Sequence, residues 1–189
     1  MRLWTVQPPK IIDIIENTGK FTCDTTWSEN YQDFHDAYLW LVGEMDKRNI
    51  HHPQDLQLPL WAWHTFNWKY KKPDFRCMGL GISGQQYVCI EFEIPDNQVL
   101  LSDHGHWHFV LNHTWFNDST CEEEFDKLWE WFETLEPLKK EELRQESWQK
   151  IFDVRPVNTD WSQTGRYIQA TFWELKKDMI RDVKYFTAR

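Results

Sequence analysis

Apolar and polar positions alternate at the start of the chain, with Leu3, Thr5 and Gln7 on one face of a strand and Trp4 and Val6 on the other. Pro8 and Pro9 suit a first helical turn, where a missing N–H costs nothing, and Ile11, Ile12, Ile14 and Ile15 then give an apolar stripe that Gly19 ends. Ser28 is read as the cap of a helix to about Arg48, with Tyr31, Phe34, Tyr38, Leu41, Val42 and Met45 at three- and four-residue spacing. Leu58 to Trp63 reads as a short buried strand, and Lys69 to Phe75 as a charged, proline-broken connection.

Val88, Ile90, Phe92 and Ile94 alternate in a strand over 86–94, and Val99 to Asp103 reads as a second strand paired to it or nearby. Thr120 with Glu123 forms a capping box for a helix to about Leu135, and Pro137 starts a charged helix burying Leu143, Trp148, Ile151 and Phe152. Arg166 to Trp173 reads as a strand, Glu174 to Asp182 as a short helical turn, and Val183 to Phe186 as a final strand. The pattern implies an α+β fold, residues 1–189 in a single domain, with a mixed, largely antiparallel sheet and flanking helices.

At 189 residues, 41% hydrophobic and 27% charged, the chain is long enough to bury a core without metal or disulfide support. No apolar run approaches the roughly 20 residues of a membrane helix, and the start lacks a basic-then-apolar signal, so a soluble, cytoplasmic protein without membrane contact is expected. Cys23, Cys77, Cys89 and Cys121 show no CxxC spacing, which favours reduced thiols. A net charge of −9 argues against coating duplex nucleic acid. Basic runs at Lys69, Lys71, Lys72 and Arg76 and at the C-terminal end leave room for a small anion or a single strand. Most of the 13 tryptophans belong to the core; Trp61 and Trp63, near the basic run, are the best candidates to stack on a base or nicotinamide ring.

Gly79, Gly81 and Gly84 spell GxGxxG but precede a strand instead of opening a helix, so they read as a loop and not a dinucleotide turn. No GxSxG elbow or phosphate-binding P-loop is present. His104, His106 and His108, beside Asp103 and His113, would share a face in a strand and offer metal ligands; Gly105 makes a loop equally compatible.

Leu3 to Gly19 and Ile168-Gln-Ala-Thr-Phe-Trp-Glu-Leu175, followed by Met179 to Phe186, resemble the first and last motifs of ADP-ribosyltransferases, closest to bacterial toxins that modify nucleic acids. The resemblance implies a split sheet and NAD as substrate, with Trp4, Thr5 and Gln7 lining its site, Trp61 and Trp63 stacking on a ring, Arg76 at the pyrophosphate, and Gln169 and Thr171 at the late motif. It implies a carboxylate that offsets positive charge on the ribose. Thr171 stands where that glutamate is expected, so Glu174 is the nearest candidate, with Asp103 and His108 in reserve. A toxin or phage-defence role, a nucleic-acid acceptor and an antitoxin partner follow from the same likeness. Two alternatives stay open: an inactive nucleotide- or single-stranded-RNA-binding module of that fold, and a metal-dependent enzyme built on the histidines. Over its whole length the chain also resembles a bacterial family of unknown function that shares the Leu-Trp-Thr opening, the Trp-Ala-Trp strand, the Leu-Leu-Ser-Asp turn and the Phe-Trp-Glu-Leu end.

Overall fold

A computed structural model describes residues 1–24, 32–54, 56, 58–77 and 79–189. The expected first unit is present: strand β1 (Arg2–Gln7) leads into helix α1 (Lys10–Thr18), and Gly19, at φ 81°, caps it by donating its N–H to the Ile15 carbonyl. Strand β2 (Lys20–Phe21) follows. Helix α2 spans His35–Lys47, later than the sequence pattern suggests. The proposed Ser28 cap and Tyr31 lie outside the described residues.

Strand β3 (Leu60–Phe66) turns through Asn67 and Trp68, both at positive φ, into β4 (Lys69–Tyr70), so the expected connection begins as a hairpin. Strand β5 (Gln86–Glu93) matches the alternating segment. Strand β6 (Leu100–Asp103) runs directly into helix α3 (His104–Leu111). Helices α4 (Glu122–Glu133) and α5 (Pro137–Trp148) form the expected pair, with Glu124, not Glu123, accepting from the Thr120 backbone and hydroxyl. Strands β7 (Tyr167–Phe172), β8 (Leu175–Lys176) and β9 (Ile180–Thr187) end the chain. The helical turn expected over 174–182 is mostly extended, because β8 pairs with β2 and β9 starts at Ile180.

The main sheet has seven strands in the order β6-β7-β3-β1-β5-β9, with β4 on β3, and every pairing is antiparallel; β2 and β8 form a separate ribbon. The expected largely antiparallel sheet is present, and no parallel pair occurs among the described strands. β6 pairs with β7, not with β5 as its sequence neighbourhood suggested, because Leu100 and Ser102 sit opposite Thr171 and Gln169. One face packs Leu3, Ile90, Phe92, Ala170 and Phe172 under Ile11 and Ile15 of α1. Toward β6 the other face carries a second core, in which Leu100 and Trp173 meet Leu41 and Met45 of α2, Trp107 and Val110 of α3, and Trp148 and Ile151. Helix α1 therefore covers one face of the sheet, and α2, α3 and the end of α5 cover the other face toward β6.

Phe92 and Phe172 are fully buried with ring centroids 5.0 Å apart. Phe92→Ala is expected to cost about 3–5 kcal/mol in urea unfolding. Gly19→Ala should cost about 1–2 kcal/mol, since a Cβ is strained at this φ although it meets no neighbour; an unchanged midpoint for either variant would contradict these packing and backbone assignments.

Candidate functional site

The sheet is weakest in main-chain pairing at its centre. β1 holds β5 through continuous register from Arg2↔Glu93 to Gln7↔Val88, and β3 holds β7 from Leu60↔Phe172 to Phe66↔Tyr167. Between β1 and β3 the register has a single pair, Trp4↔Trp63. Beyond it a side chain replaces the ladder: the Thr5 hydroxyl donates to the Trp61 carbonyl at 2.8 Å and accepts from Gln7 Nε2 at 2.8 Å. Thr5 is 1% exposed, so without this bond the Trp61 carbonyl would lose its side-chain partner inside the sheet.

A cavity of about 280 Å³ opens at this seam, lined by Gln7, Trp61, Trp63, Leu80, Tyr87 and Gln169 among others. The glycine loop forms one wall. Gly79, Gly81 and Gly84 all have positive φ, and a Cβ at Gly81 would lie 2.4 Å from the Tyr87 ring. That ring occupies the space a side chain would need, and its hydroxyl accepts from Ile82 N–H at 3.0 Å. The GxGxxG run is therefore a loop, as its position before a strand indicated, and it contributes to the cavity wall.

Gln169 is fixed from behind. His104 Nδ1 lies 3.1 Å from Gln169 Oε1, and the His104 ring meets Trp63 edge-on at 5.3 Å. Burial pushes the His104 pKa down, so the ring is neutral at pH 7. His104 is the first residue of α3, and the histidine run is helical, not extended. The reason is its cap: Asp103, 3% exposed, accepts from His106 N–H at 2.9 Å, while Trp107 and Val110 supply a buried face. Asp103 also accepts from Gly165 N–H at 2.6 Å, tying α3 to the loop before β7. Helical geometry sets His104 and His108 on one side, 5.4 Å apart, and turns His106 away against Phe116. Among the described residues no group of three or more His, Cys, Asp or Glu is placed to hold a metal ion.

Of the residues read as candidates, Gln7, Trp61, Trp63 and Gln169 meet at the cavity, with Thr5 buttressing it. The rest lie elsewhere. Trp4 is buried, donates its indole N–H to Glu91 at 2.9 Å, and faces a separate cavity with Arg2, Tyr70, Lys71 and Lys72. Thr171 is fully buried and donates to the Leu100 carbonyl. Arg76 is exposed and grips Asp74 with two bonds of 2.9 and 2.6 Å. Glu174 pairs with Lys20 and, at 3.6 Å, with Lys176, which hold its pKa low, and it lines another cavity with Trp173. Asp103 is a structural cap and His108 is exposed, and neither lines the seam cavity. The cysteines are unpaired, and burial pushes the Cys23 and Cys89 thiols up to about 11 and about 12, far from nucleophilic. Sequence reading missed Leu80 and Tyr87, for which the close glycine spacing before Tyr87 was the available signal, and it read His104 as a metal ligand where the structure sets it against Gln169.

Fold and site together define an α+β protein with an open antiparallel sheet and a polar, aromatic cavity at its central seam. The chain matches, over residues 2–181, the model of the family described as Domain of unknown function (DUF3841), and it belongs to that family. No curated protein and no solved structure matches it. No helix among the described residues is long and apolar enough to cross a membrane.

Thr5→Val keeps the shape of the side chain but removes its hydroxyl. It should destabilise the fold by about 1–3 kcal/mol, because the Trp61 carbonyl then loses that donor; unchanged stability would show that the hydroxyl does not hold the seam. Acid should also act here. Burial lowers the pKa of His64, His104 and His106, and His106 Nδ1 has no hydrogen-bond partner among the described residues. The unfolded chain takes up protons first, so the stabilisation is complete above the unfolded value of about 6.5 and is lost as pH falls through the depressed folded values. The melting temperature of His106→Leu should fall less than that of the wild type between pH 7 and pH 5, and parallel curves would refute the assignment.

Proposed function

We propose that the seam cavity binds a nucleotide through its planar ring, with NAD as the candidate ligand, and that the protein is a nucleotide-binding module. The observation that carries this reading is that two indoles, Trp61 and Trp63, and the Gln169 amide, which share one face of β3 and β7, line a cavity together with Gln7 of β1 where the β1–β3 pairing gives way. Indole faces stack on bases and on nicotinamide with little sequence preference, at about 1–3 kcal/mol per ring. A cavity of about 280 Å³ accommodates a ring and its sugar, leaving the remainder of a dinucleotide on the surface.

ADP-ribosyl transfer to a nucleic acid, which the likeness of the chain ends suggests, requires an anion opposite the ribose. The described residues that line the cavity carry no carboxylate, and Glu174 is engaged with Lys20 at a different cavity. Binding without turnover therefore fits the geometry better than catalysis.

NAD at millimolar concentration should raise the melting temperature, and Trp63→Ala should lose most of that shift without loss of fold. No shift in the wild type, or an equal shift in the variant, would overturn the proposal. Release of free nicotinamide during the same incubation would replace the binding module with the transferase.

A further inference from the structure

Two cavities adjoin on one face of the sheet, and from their adjacency we infer that a nucleotide with its ring in the seam sets its phosphate against Lys71 and Lys72. The inference rests on the reading of the seam cavity as a nucleotide site. Residues opposite one another in an antiparallel register project from the same face, with Cβ atoms about 4.5–5.5 Å apart. The register sets Gln169 opposite Trp63, Trp63 opposite Trp4, and Trp4 opposite Glu91, so the four form one row across β7, β3, β1 and β5. Gln169 and Trp63 line the seam cavity, whereas Trp4 and Glu91 line a cavity of about 580 Å³ together with Arg2, Tyr70, Lys71, Lys72 and Glu93. A single register pair, Trp63 and Trp4, therefore separates the two. One loop also borders both, with Lys71 and Lys72 at its start beside the second cavity and Gly79 to Gly81 at its end beside the first.

Charge decides what the second cavity takes. Its two carboxylates are already engaged: Glu91 accepts from the Trp4 indole at 2.9 Å and pairs with Arg2 at 3.3 Å, while Glu93 pairs with Arg2 at 3.3 Å and with Arg181 at 3.0 Å. Lys71 and Lys72 make no salt bridge among the described residues, and the Lys72 ammonium lies over the Phe75 ring. Two ammonium groups are thus left uncompensated, whereas Arg76 is held by Asp74. Each ammonium carries three donors on a flexible stem and suits phosphate oxygens without demanding one geometry. Tyr70 shapes the ridge between the cavities. Its hydroxyl donates to the Arg2 carbonyl at 2.6 Å and accepts from the Arg2 N–H at 2.8 Å, which holds its half-exposed ring edge-on to the buried Trp4 indole at 5.5 Å. The sugar crosses this ridge. Contact with the phosphate is through side-chain ends and leaves the main-chain amides of Lys71 and Lys72 free.

The test is calorimetric titration of the full chain with adenosine, with nicotinamide riboside, and with the monophosphate of each. In the wild type at least one monophosphate should bind about tenfold or more tightly than its nucleoside. Replacing both lysines, Lys71→Gln together with Lys72→Gln, should cut that advantage to about threefold or less, with the melting temperature in the absence of ligand confirming the fold. Trp63→Ala removes the ring's stacking partner and should weaken nucleoside and monophosphate by the same factor. Equal wild-type affinity for nucleoside and monophosphate, or a full advantage kept in the double variant, overturns the phosphate site and leaves the ring reading intact. Undiminished monophosphate binding in Trp63→Ala overturns the sharing of one ligand by the two cavities. Absence of binding by all four compounds overturns both the phosphate site and the nucleotide reading.

Discussion

The molecule depends on one side-chain hydrogen bond, from the Thr5 hydroxyl to the Trp61 carbonyl, at the centre of its sheet. Antiparallel strands ordinarily hold one another through repeated main-chain pairs, as β1 does with β5. Where β1 meets β3 the repeat stops after Trp4↔Trp63, and a threonine side chain carries the contact onward. A side-chain spacer keeps neighbouring strands joined without closing them into a ladder. It also leaves room for a cavity in what would otherwise be continuous sheet, and the same hydroxyl orients Gln7 within it.

Such a seam is tolerable because the sheet is secured on either side. α1 buries Ile11 and Ile15 against Leu3, Val88 and Phe92 on one face, which ties β1 to β5 independently of β3. On the other face α2, α3 and the end of α5 hold β6 and β7 through a tryptophan-rich core. Asp103 connects these parts: it caps α3, and thereby places His104 behind Gln169, and it anchors Gly165 just ahead of the strand that carries Gln169. The residues that shape the cavity are thus extensions of the two cores, which makes their orientation a property of the fold.

Local periodicity made much of this legible in the chain. The isoleucine stripe and Gly19 specify α1, and the alternation from Val88 to Phe92 specifies β5, because in both cases the buried face follows from spacing alone. The histidine run was misleading, since His104, His106 and His108 alternate as a strand would; the cap at Asp103 and the burial of Trp107 and Val110 decide for helix. The pairing of β6 with β7 bridges more than 60 residues and has no local signature. Trp61 and Trp63 were singled out by residue type, whereas Gln7, Gln169, Trp4, Arg76 and Glu174 came from likeness to motifs; of these, Arg76, Trp4 and Glu174 lie apart because Asp74, Glu91 and Lys20 claim them. The seam itself could not be read, since it depends on which hydrogen bond Thr5 makes and not on what Thr5 is.

Hydrogen exchange with and without NAD tests most directly whether the β1–β3 seam is the binding site. New protection should be confined to Thr5–Gln7, Trp61–Trp63, the 79–81 loop and Gln169. Protection centred instead on Glu174 and Lys176, or none at saturating NAD, would contradict it.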